Sequence, residues 1–301
     1  MSSVIVLAGG TSDERAVSLR SGAAVSAALQ AASHDVTVLD PADGLTKELL
    51  VGHDVVFPVL HGAGGEDGSL QTQLDIFRLP YVGTGAAASA LCFDKWQYKQ
   101  LLAEHDLPHP AGELVDETKF WQSSLITRPF VLKPFDGGSS IDTLLIRSLA
   151  EPLDKDAVHA LFAKHPKMLL EELVEGAEIT VAVLGDQCLP VIEIIPPSGG
   201  EFDYENKYNG QSQELCPPEH VSDAVQHKAQ ELALRAHQLA GCRDFSRTDF
   251  MIDAGGNLYI LETNTIPGMT DQSLLPKAAA VSGLTMPQLM DRLVRLALAH
   301  H

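Results

Sequence analysis

Residues 247–264 read RTDFMIDAGGNLYILETN, two largely apolar runs on either side of a glycine pair. Gly255-Gly256 stands where a tight turn would join two antiparallel strands, so the stretch is predicted to form a β-hairpin. A two-residue loop and a four-residue loop from Ala254 to Asn257 give the same pairing of the strands. Either loop sets apolar side chains opposite each other, in the pairs Phe250–Leu261, Met251–Ile260 and Ile252–Tyr259.

The same register predicts a group of polar side chains at the open end of the hairpin. Asp249 lies opposite Glu262 and Arg247 opposite Asn264, and all four share one face because side chains alternate along a strand. Two facing carboxylates repel each other, and a divalent cation between them would reverse that repulsion. Mg²⁺ takes oxygen ligands, typically one or two carboxylates with substrate phosphates. Asp249, Glu262 and Asn264 are therefore a candidate magnesium site; a solvated polar strand end is the alternative.

Composition limits the class of protein. The chain has 301 residues, which suggests two or three domains. A formal charge of −19 argues against binding to nucleic acids or anionic membranes, which requires a basic face. No apolar run reaches the length of about 18 residues that a membrane span needs, and the N-terminus MSSVIVLAGG has no basic region like that of a signal peptide. We expect a cytoplasmic protein.

The cysteines are widely spaced, and no C-x-x-C pair occurs among Cys92, Cys188, Cys216 and Cys242. This spacing disfavours a zinc site or a disulfide framework and favours buried, reduced thiols.

The order of apolar runs predicts an α/β fold. The first hundred residues alternate short strands with helices, which indicates a parallel sheet, and Ser12 is the predicted N-cap of the first helix. The middle section, residues 96–180, reads as strands around a glycine loop, with a helix near 151–164. The last section, residues 181–301, adds further strands, the hairpin and a C-terminal helix that starts at Thr285.

Three glycine-rich stretches could hold phosphates, and one of them, AGGTSDER, ends the first strand. GTGAAA, residues 83–88, fits the dinucleotide pattern G-x-G-x-x-A only weakly, and no Walker motif is present. KPFDGGSS, residues 133–140, is more informative: Lys133 ends an apolar strand, and the glycines, Ser139 and Ser140 then supply backbone and hydroxyl donors. An ordinary hairpin turn is the alternative interpretation of KPFDGGSS.

Eight motifs in this order resemble the D-alanine–D-alanine ligases of the ATP-grasp superfamily: AGGTSDERAVSLRSG, LHGAGGEDG, DKWQYK, KPFDGGSS, EELVEGAEITVAVL, DYENKY, RTDF and LETNTIPGMTDQSLLPKAA. The resemblance extends over residues 4 to 295. It implies a three-domain ATP-grasp architecture: an N-terminal α/β substrate-binding domain (1–95), and central (96–180) and C-terminal (181–301) subdomains with the nucleotide between them. It also implies a homodimer and a reaction in which ATP phosphorylates one D-alanine and the amine of a second displaces phosphate.

The resemblance also implies how ATP is bound. Lys95, Lys133 and Lys207 correspond to lysines that contact phosphates, and Ser140 belongs to the phosphate loop. Asp249, Glu262 and Asn264 correspond to the ligands of Mg²⁺ (or Mn²⁺), in agreement with the hairpin argument. The adenosine would be held by the residues of EELVEGAE, namely Glu171, Leu173, Val174 and Glu178.

The remaining roles concern the amino acids. Glu14 corresponds to the residue that binds the ammonium of the first D-alanine, with His61 close by. Arg247 would lie over the transferred phosphoryl group, the Gly268 N–H would complete an oxyanion hole, and Ser273 and Leu274 would hold the second carboxylate. Hydrogen bonds would link Glu14, Ser139 and Tyr208, which ties the lid segment DYENKYNGQSQ to the site.

The chain departs from the family's pattern at two positions. Asp142 follows the phosphate loop where glycine is usual, and Ala16 stands where glutamate is usual near Glu14. The resemblance also implies, from the tyrosine at position 208, an amine and not a hydroxyl as the nucleophile. A ligase for another pair of amino acids is therefore the alternative; a nicotinamide-dependent dehydrogenase and an ATP-binding regulator are the competing classes. His300 and His301 are given no role.

Overall fold

The structure, a computed structural model, describes residues 1–138, 141–150, 152–196 and 212–300. The strands in these ranges are β1 (Ser3–Leu7), β2 (Asp35–Leu39), β3 (Val55–Pro58), β4 (Gly112–Val115), β5 (Phe130–Pro134), β6 (Leu144–Ile146), β7 (Met168–Glu172), β8 (Ala177–Leu184), β9 (Gln187–Cys188), β10 (Ile192–Ile195), β11 (Gln213–Leu215), β12 (Phe245–Ile252) and β13 (Leu258–Asn264).

The α-helices are α1 (Arg15–Ala31), α2 (Lys47–Leu50), α3 (Ser69–Phe77), α4 (Ala86–Phe93), α5 (Lys95–Glu104), α6 (Glu117–Gln122), α7 (Lys155–Lys164), α8 (Asp223–Leu239), α9 (Leu274–Val281) and α10 (Met286–Ala299). Two short 3₁₀ helices cover Pro41–Asp43 and Ser124–Thr127. None of the helices in the described ranges has both the length and the apolar character that crossing a bilayer requires.

The strands form three sheets. The first is parallel, in the order β2-β1-β3, which confirms the prediction from the alternating strands and helices. The second is antiparallel, in the order β4-β7-β5-β6. The third is also antiparallel, in the order β11-β10-β8-β12-β13, with β9 paired to β8. β8 begins at Ala177, so it crosses the boundary placed at residue 180; the three domain ranges stay predictions.

Helix starts follow from their caps. Asp94 accepts hydrogen bonds from the N–H groups of Trp96 and Gln97 and so begins α5. Thr285 begins α10 with a capping box, as expected from the sequence. The prediction that Ser12 caps the first helix was wrong. Glu14 occupies the N-cap of α1, because its carbonyl accepts the first helical bonds, whereas the Ser12 hydroxyl donates to the His61 carbonyl (2.6 Å).

One hydrophobic core joins the two ends of the chain. Val6 of β1, Val25 of α1, Ala182 of β8 and Leu293 of α10 belong to one buried cluster. α1 packs so closely that a Cβ on Gly22 would lie 2.3 Å from the Cβ of Ala8. This contact holds α1 against the end of β1 in the parallel sheet.

The close contact at Gly22 generates a stability prediction. We expect Gly22→Ala to lower the free energy of unfolding by roughly 1–3 kcal/mol, because the added methyl overpacks the α1–Ala8 contact and outweighs a gain in helix propensity of about 1 kcal/mol. Denaturant unfolding measures the change. The exposed Ala27 of the same helix supplies the control, Ala27→Ser, with an expected change within about 0.5 kcal/mol. Equal effects of the two variants would contradict the packing argument.

Candidate active site

The β12–β13 hairpin differs from the prediction in its loop. Asp253 N–H donates to the Asn257 carbonyl (3.0 Å), so three residues, Ala254, Gly255 and Gly256, form the loop, and not two or four. Gly256 has φ +79°, the left-handed conformation with which a three-residue hairpin loop ends. The Asp253 carboxylate fixes this loop by accepting hydrogen bonds from the backbone N–H groups of Gly255 (2.8 Å) and Asn257 (2.9 Å).

The odd loop shifts the strand register by one residue next to the turn. The observed pairs are Phe250–Ile260, Met251–Tyr259 and Ile252–Leu258, so the predicted pairs Phe250–Leu261, Met251–Ile260 and Ile252–Tyr259 were wrong. An irregularity follows at Asp249/Phe250, where Leu261 is the extra residue of a β-bulge. The bulge restores the predicted register beyond it, and Asp249 faces Glu262 while Arg247 faces Asn264, as predicted.

Each of the two facing carboxylates has a basic side chain beside it. The Arg247 guanidinium donates two hydrogen bonds to Asp249, at 2.8 and 2.7 Å, and the Thr180 hydroxyl of β8 donates a third (2.5 Å). Lys95 Nζ lies 3.2 Å from a Glu262 carboxylate oxygen. These basic side chains offset the repulsion between the two acids. The four carboxylate oxygens therefore lie close together at the open end of the hairpin.

The donor set suits a hard divalent ion. Asp249, Glu262 and the Asn264 side-chain oxygen, which accepts the Ile266 N–H at 2.9 Å, provide oxygen ligands from one hairpin end. The described residues contain no cluster of three or more His, Cys, Asp and Glu side chains that could enclose a metal by themselves. Two carboxylates and one amide match Mg²⁺, which commonly completes its shell with phosphates and water.

Lys95 connects this metal candidate to the glycine loop. Its ammonium donates a short hydrogen bond to the Gly137 carbonyl as well as contacting Glu262, and its backbone N–H donates to the Phe135 carbonyl (2.7 Å). The Lys95 ammonium thus lies between the glycine loop and the carboxylates, where it could bind a phosphate chain.

A buried group of three charges lies deeper, beneath the same loop. The Glu171 carboxylate of β7 is ion-paired with Lys99 (2.5 Å) and with Lys133 (2.6 Å). Burial opposes the charge on Glu171, but the two ammonium groups outweigh it and lower the pKa of the carboxyl. Burial lowers the pKa of Lys99, whereas for Lys133 the attraction of Glu171 overcomes burial and raises the pKa.

Lys99 is a site residue that the sequence analysis missed, although it ends the quoted motif DKWQYK. It lies one helical turn after Lys95, is 3% exposed, and also donates to the Pro110 carbonyl (2.7 Å). The spacing of four residues was a usable signal, because it places both lysines on one side of α5.

Glu14 is enclosed where α1 meets two glycine-containing loops. A Cβ on Gly62 would lie 2.8 Å from its carboxylate, and one on Gly138 would lie 3.0 Å away, so these glycines permit the close approach. Glu66, a second buried acid that the sequence analysis did not single out, accepts the Gly62 N–H (2.6 Å). Burial, with the nearby charge of Glu14, raises the pKa of Glu66 to about 8, so this carboxyl is largely protonated at neutral pH.

His61 is buried between α1 and the segment after β13. Its Nδ1 lies 3.0 Å from the Ile266 carbonyl, which can only accept, so Nδ1 carries the hydrogen and Nε2 faces the Ser21 hydroxyl at 3.3 Å. Ser21, also absent from the predictions, accepts the Met269 N–H (3.3 Å). Burial lowers the pKa of His61 to about 4, and its ring is neutral at pH 7.

The predicted oxyanion residue lies next to this histidine. Gly268 packs so closely on Ser273, the N-cap of α9, that a Cβ would come within 2.8 Å of the Ser273 hydroxyl oxygen. The Thr270 N–H donates to that same oxygen (3.1 Å). The Ser273 hydroxyl is therefore held beside the backbone of Gly268.

Two adjoining cavities collect these side chains. The smaller has a volume of about 650 Å³ and includes Arg247 and Ser273; the larger, about 1140 Å³, includes Lys133 and Glu178. All the described candidates line one or both: Glu14, His61, Lys95, Lys133, Glu171, Leu173, Val174, Glu178, Arg247, Asp249, Glu262, Asn264, Gly268, Ser273 and Leu274. Ser139, Ser140, Lys207 and Tyr208 lie outside the described residues, and the individual roles stay predictions.

The chain matches known proteins over almost its whole length. Residues 39–84 match the family model "D-ala D-ala ligase N-terminus", and residues 101–295 match "D-ala D-ala ligase C-terminus". The D-alanine–D-alanine ligase of Sphingopyxis alaskensis is 40% identical over 303 residues, covering 98% of this chain and 97% of the relative. The chain belongs to the D-alanine–D-alanine ligase family.

Further comparisons agree. The D-alanine–D-alanine ligase of Nitratidesulfovibrio vulgaris strain DP4 is 41% identical over 302 residues, covering 98% of each chain. A solved D-alanine–D-alanine ligase from Bacillus anthracis superposes with a TM-score of 0.83 at 26% identity, covering 100% of this chain and 98% of the other. These matches confirm the predicted α/β fold class of ATP-grasp ligases, with its parallel N-terminal sheet.

The two departures from the family's usual sequence have different surroundings. Asp142 has a left-handed φ of +56°, which explains why a glycine is suited to this position. Its carboxylate faces the larger cavity but is paired with Lys164 (2.5 Å) and His165 (2.7 Å), and these hydrogen bonds lower its pKa. The negative charge of Asp142 at this site is thus already paired with two basic side chains. Ala16, by contrast, is exposed on α1.

The buried charge group generates a second prediction. Lys99→Met should lower the free energy of unfolding by about 1–3 kcal/mol, because the buried Glu171 carboxylate and the Pro110 carbonyl each lose a hydrogen-bond donor. Denaturant unfolding tests this. Lys164→Met is the matched control, since Lys164 is 58% exposed and its surface ion pair with Asp142 contributes about 1 kcal/mol or less. A loss no larger for Lys99 than for Lys164 would contradict the buried-triad argument.

His61 generates a pH prediction. The pKa of this ring is about 4 in the folded chain and about 6.5 when unfolded, so the unfolded state binds protons first and stability falls as the pH drops from 6.5 toward 4. We expect His61 to contribute about 2 kcal/mol to the loss of stability between pH 7 and pH 5. Unfolding curves of wild type and His61→Asn at both pH values measure it; the same pH dependence in both proteins would exclude a neutral, buried His61.

Proposed function

We propose that the protein is an ATP-dependent ligase that joins two D-alanine molecules into D-alanyl-D-alanine. The observation that carries this proposal is the pair of adjoining cavities, which share Glu14, Lys95, Gly138 and Glu262. The larger one is bordered by lysines and acids suited to a nucleotide, and the smaller one by groups suited to amino acids. Membership of the D-alanine–D-alanine ligase family supports the specific substrate. The dipeptide is a precursor of peptidoglycan.

The nucleotide would bind in the larger cavity. Glu178 of β8 would accept hydrogen bonds from the ribose hydroxyls. The base would lie near Glu171, Leu173 and Val174. The Leu173 N–H donates to the Pro129 carbonyl (3.1 Å), so this residue would contact the base through its carbonyl oxygen. The phosphates would extend over the glycine loop, near Lys95 and Lys133. Ser140 of that loop and Lys207 of the lid segment are assigned to the same task.

Mg²⁺ would be held by Asp249, Glu262 and Asn264. When bound, such an ion neutralises phosphate charge and orients the terminal phosphoryl group for transfer. Arg247, now engaged with Asp249, is beside the carboxylate oxygens and inside the smaller cavity, so it can contact both the metal ligands and the transferred group. Its planar fork suits the oxygens of a phosphoryl group.

The first D-alanine would place its ammonium at Glu14 and its carboxylate toward the phosphates. Phosphoryl transfer to that carboxylate gives an acyl phosphate and ADP. The Gly268 N–H and Arg247 would then stabilise the oxyanion as the amine of the second D-alanine attacks, while Ser273 and Leu274 hold its carboxylate. Expulsion of phosphate leaves the dipeptide. His61, which is neutral, would lie near Glu14 and would add no positive charge that competes with the substrate ammonium.

The proposal includes three further assignments. The chain is divided into a substrate-binding domain (1–95) and two ATP-grasp subdomains (96–180 and 181–301), it acts in the cytoplasm, and it forms a homodimer. Ser139 and Tyr208 would join Glu14 in a hydrogen-bonded link to the lid segment, which would exclude water from the acyl phosphate.

Phosphate release from MgATP tests the proposed function. The purified protein is assayed with single D- and L-amino acids and with pairs of them, and the mass of each product is recorded. We expect release that depends on D-alanine, with D-alanyl-D-alanine as the product. Release with a different amino acid would retain an ATP-grasp ligase but reject the substrate, and nucleotide binding without turnover under any condition would reject the ligase.

The metal assignment has its own prediction. Glu262→Gln should raise the Mg²⁺ concentration needed for half-maximal turnover by about tenfold or more, because a ligand charge is lost. Lys95→Met distinguishes the role of Lys95 from that of Glu262. This variant should weaken ATP binding while leaving the Mg²⁺ requirement close to that of the wild type. Glu231→Gln, at a 66% exposed helix position, is the control. A wild-type Mg²⁺ titration for Glu262→Gln would reject this residue as a ligand.

A further inference from the structure

Two of the four cysteines lie side by side. Cys92 is near the end of α4, Cys242 lies between α8 and β12, and their sulfur atoms are 3.8 Å apart. A disulfide requires an S–S distance of about 2.05 Å, so the sulfurs need to approach by roughly 1.8 Å. The thiol of Cys188, by contrast, lies 3.2 Å from the Gln230 carbonyl.

The two backbone segments that carry this pair are tied to each other. The Arg243 side chain donates to the Gly83 carbonyl (2.8 Å), and the Asp244 carboxylate accepts the Gly83 N–H (2.7 Å). The Arg243 N–H donates to the Thr84 hydroxyl (3.4 Å), just before α4 begins. These bonds hold the start of β12 against the α4 region, so the proximity of the thiols is a constraint of the fold.

The two thiols differ in a way that suits stepwise oxidation. Cys92 is 5% exposed, whereas Cys242 is partly exposed. The hydrogen bond between the two thiols, with a smaller contribution from Thr84, lowers the pKa of Cys242 against the effect of burial. The same hydrogen bond, together with burial, raises the pKa of Cys92. The thiolate is the form that peroxides attack, and redox-active cysteines stand next to a resolving partner.

We propose that Cys92 and Cys242 are an oxidation site at which hydrogen peroxide produces a reversible disulfide. The Cys242 thiolate attacks one peroxide oxygen, which breaks the O–O bond, releases hydroxide that is protonated to water, and leaves a sulfenic acid. Cys92 sulfur then attacks the Cys242 sulfur and displaces a second water. Two thiols thus lose two electrons and two protons while one peroxide is reduced to two waters; a dithiol reductant reverses the reaction.

The bridge would act on the active site through Lys95. Cys92 lines the smaller cavity and stands three residues before Lys95, whose ammonium reaches Gly137 and Glu262. Drawing Cys92 toward Cys242 shifts the end of α4 and, through the Asp94 cap, the first turn of α5. The resulting loss of rate rests on the proposed function, whereas formation of the bridge does not.

The first experiment detects the bridge by mass. The full-length protein is treated with hydrogen peroxide, remaining thiols are alkylated, and intact and peptide masses are measured without reductant. We expect the loss of two hydrogens and one linked peptide pair containing Cys92 and Cys242, both reversed by dithiothreitol. Cys242→Ser and Cys92→Ser should abolish the linked pair, and Cys188→Ser should retain it. Alkylation of both cysteines after treatment, or a sulfinic acid without a bridge, would overturn the proposal.

The second experiment measures the rate. Phosphate release by the oxidised wild type should fall by about tenfold or more, since small displacements of a positioning group have effects of that size, and dithiothreitol should restore it. Cys242→Ser should keep its rate in peroxide. A bridged protein with an unchanged rate would overturn the coupling to Lys95. If the reduced protein releases no phosphate, the proposed function fails, and the mass measurement still decides the bridge.

Discussion

The site depends on two carboxylates being held face to face. Asp249 and Glu262 are paired across β12 and β13, and like charges at that spacing destabilise a strand pair. The fold accepts them because Arg247 binds Asp249 with two hydrogen bonds and Lys95 contacts Glu262. β12 also pairs with β8 on its other side, so Thr180 can donate to Asp249 from the neighbouring strand. The two facing carboxylates are thereby held between the edge strand β13 and its neighbour β12.

The same need for compensation explains the second charged layer. Glu171 connects α5 to the four-stranded sheet, because Lys99 comes from the helix and Lys133 from β5. Removing Glu171 would leave two buried ammonium groups without a counter-charge, which costs more than the pairing itself contributes. The layer places Lys133 at the base of the glycine loop, and Lys95 on the same helix as Lys99. Positioning of the two lysines that we propose bind phosphate is therefore coupled to burial of an acid.

The smaller cavity is lined by two buried ionisable groups that are largely uncharged at neutral pH. Its histidine is uncharged because burial lowers the His61 pKa to about 4, and the adjacent Glu66 is largely protonated because burial raises its pKa to about 8. Glu14 is the acid that the glycines at 62 and 138 enclose directly. A substrate ammonium entering this cavity would meet that carboxylate without competition from a charged imidazole.

Much of this was accessible from the sequence. The register expected for a two- or four-residue loop set Asp249 opposite Glu262, and the order of eight motifs sufficed for the family. The three-residue loop and the bulge at Leu261 were not predicted, because each shifts the register by one and the two shifts cancel at Asp249. The residues around Asp249 therefore show the same pairing that a regular hairpin without either irregularity would give.

What the sequence by itself determined is the set of chemical groups and their order along the chain: the hairpin acids, the glycine loop, the lysines and the parallel start of the fold. The tertiary structure alone decided which of them meet. The contacts Lys99–Glu171, Ser21–Met269 and Cys92–Cys242 join residues that are 72, 248 and 150 positions apart in the chain. Such contacts follow from the packing of whole elements around a shared core, and no local periodicity encodes them.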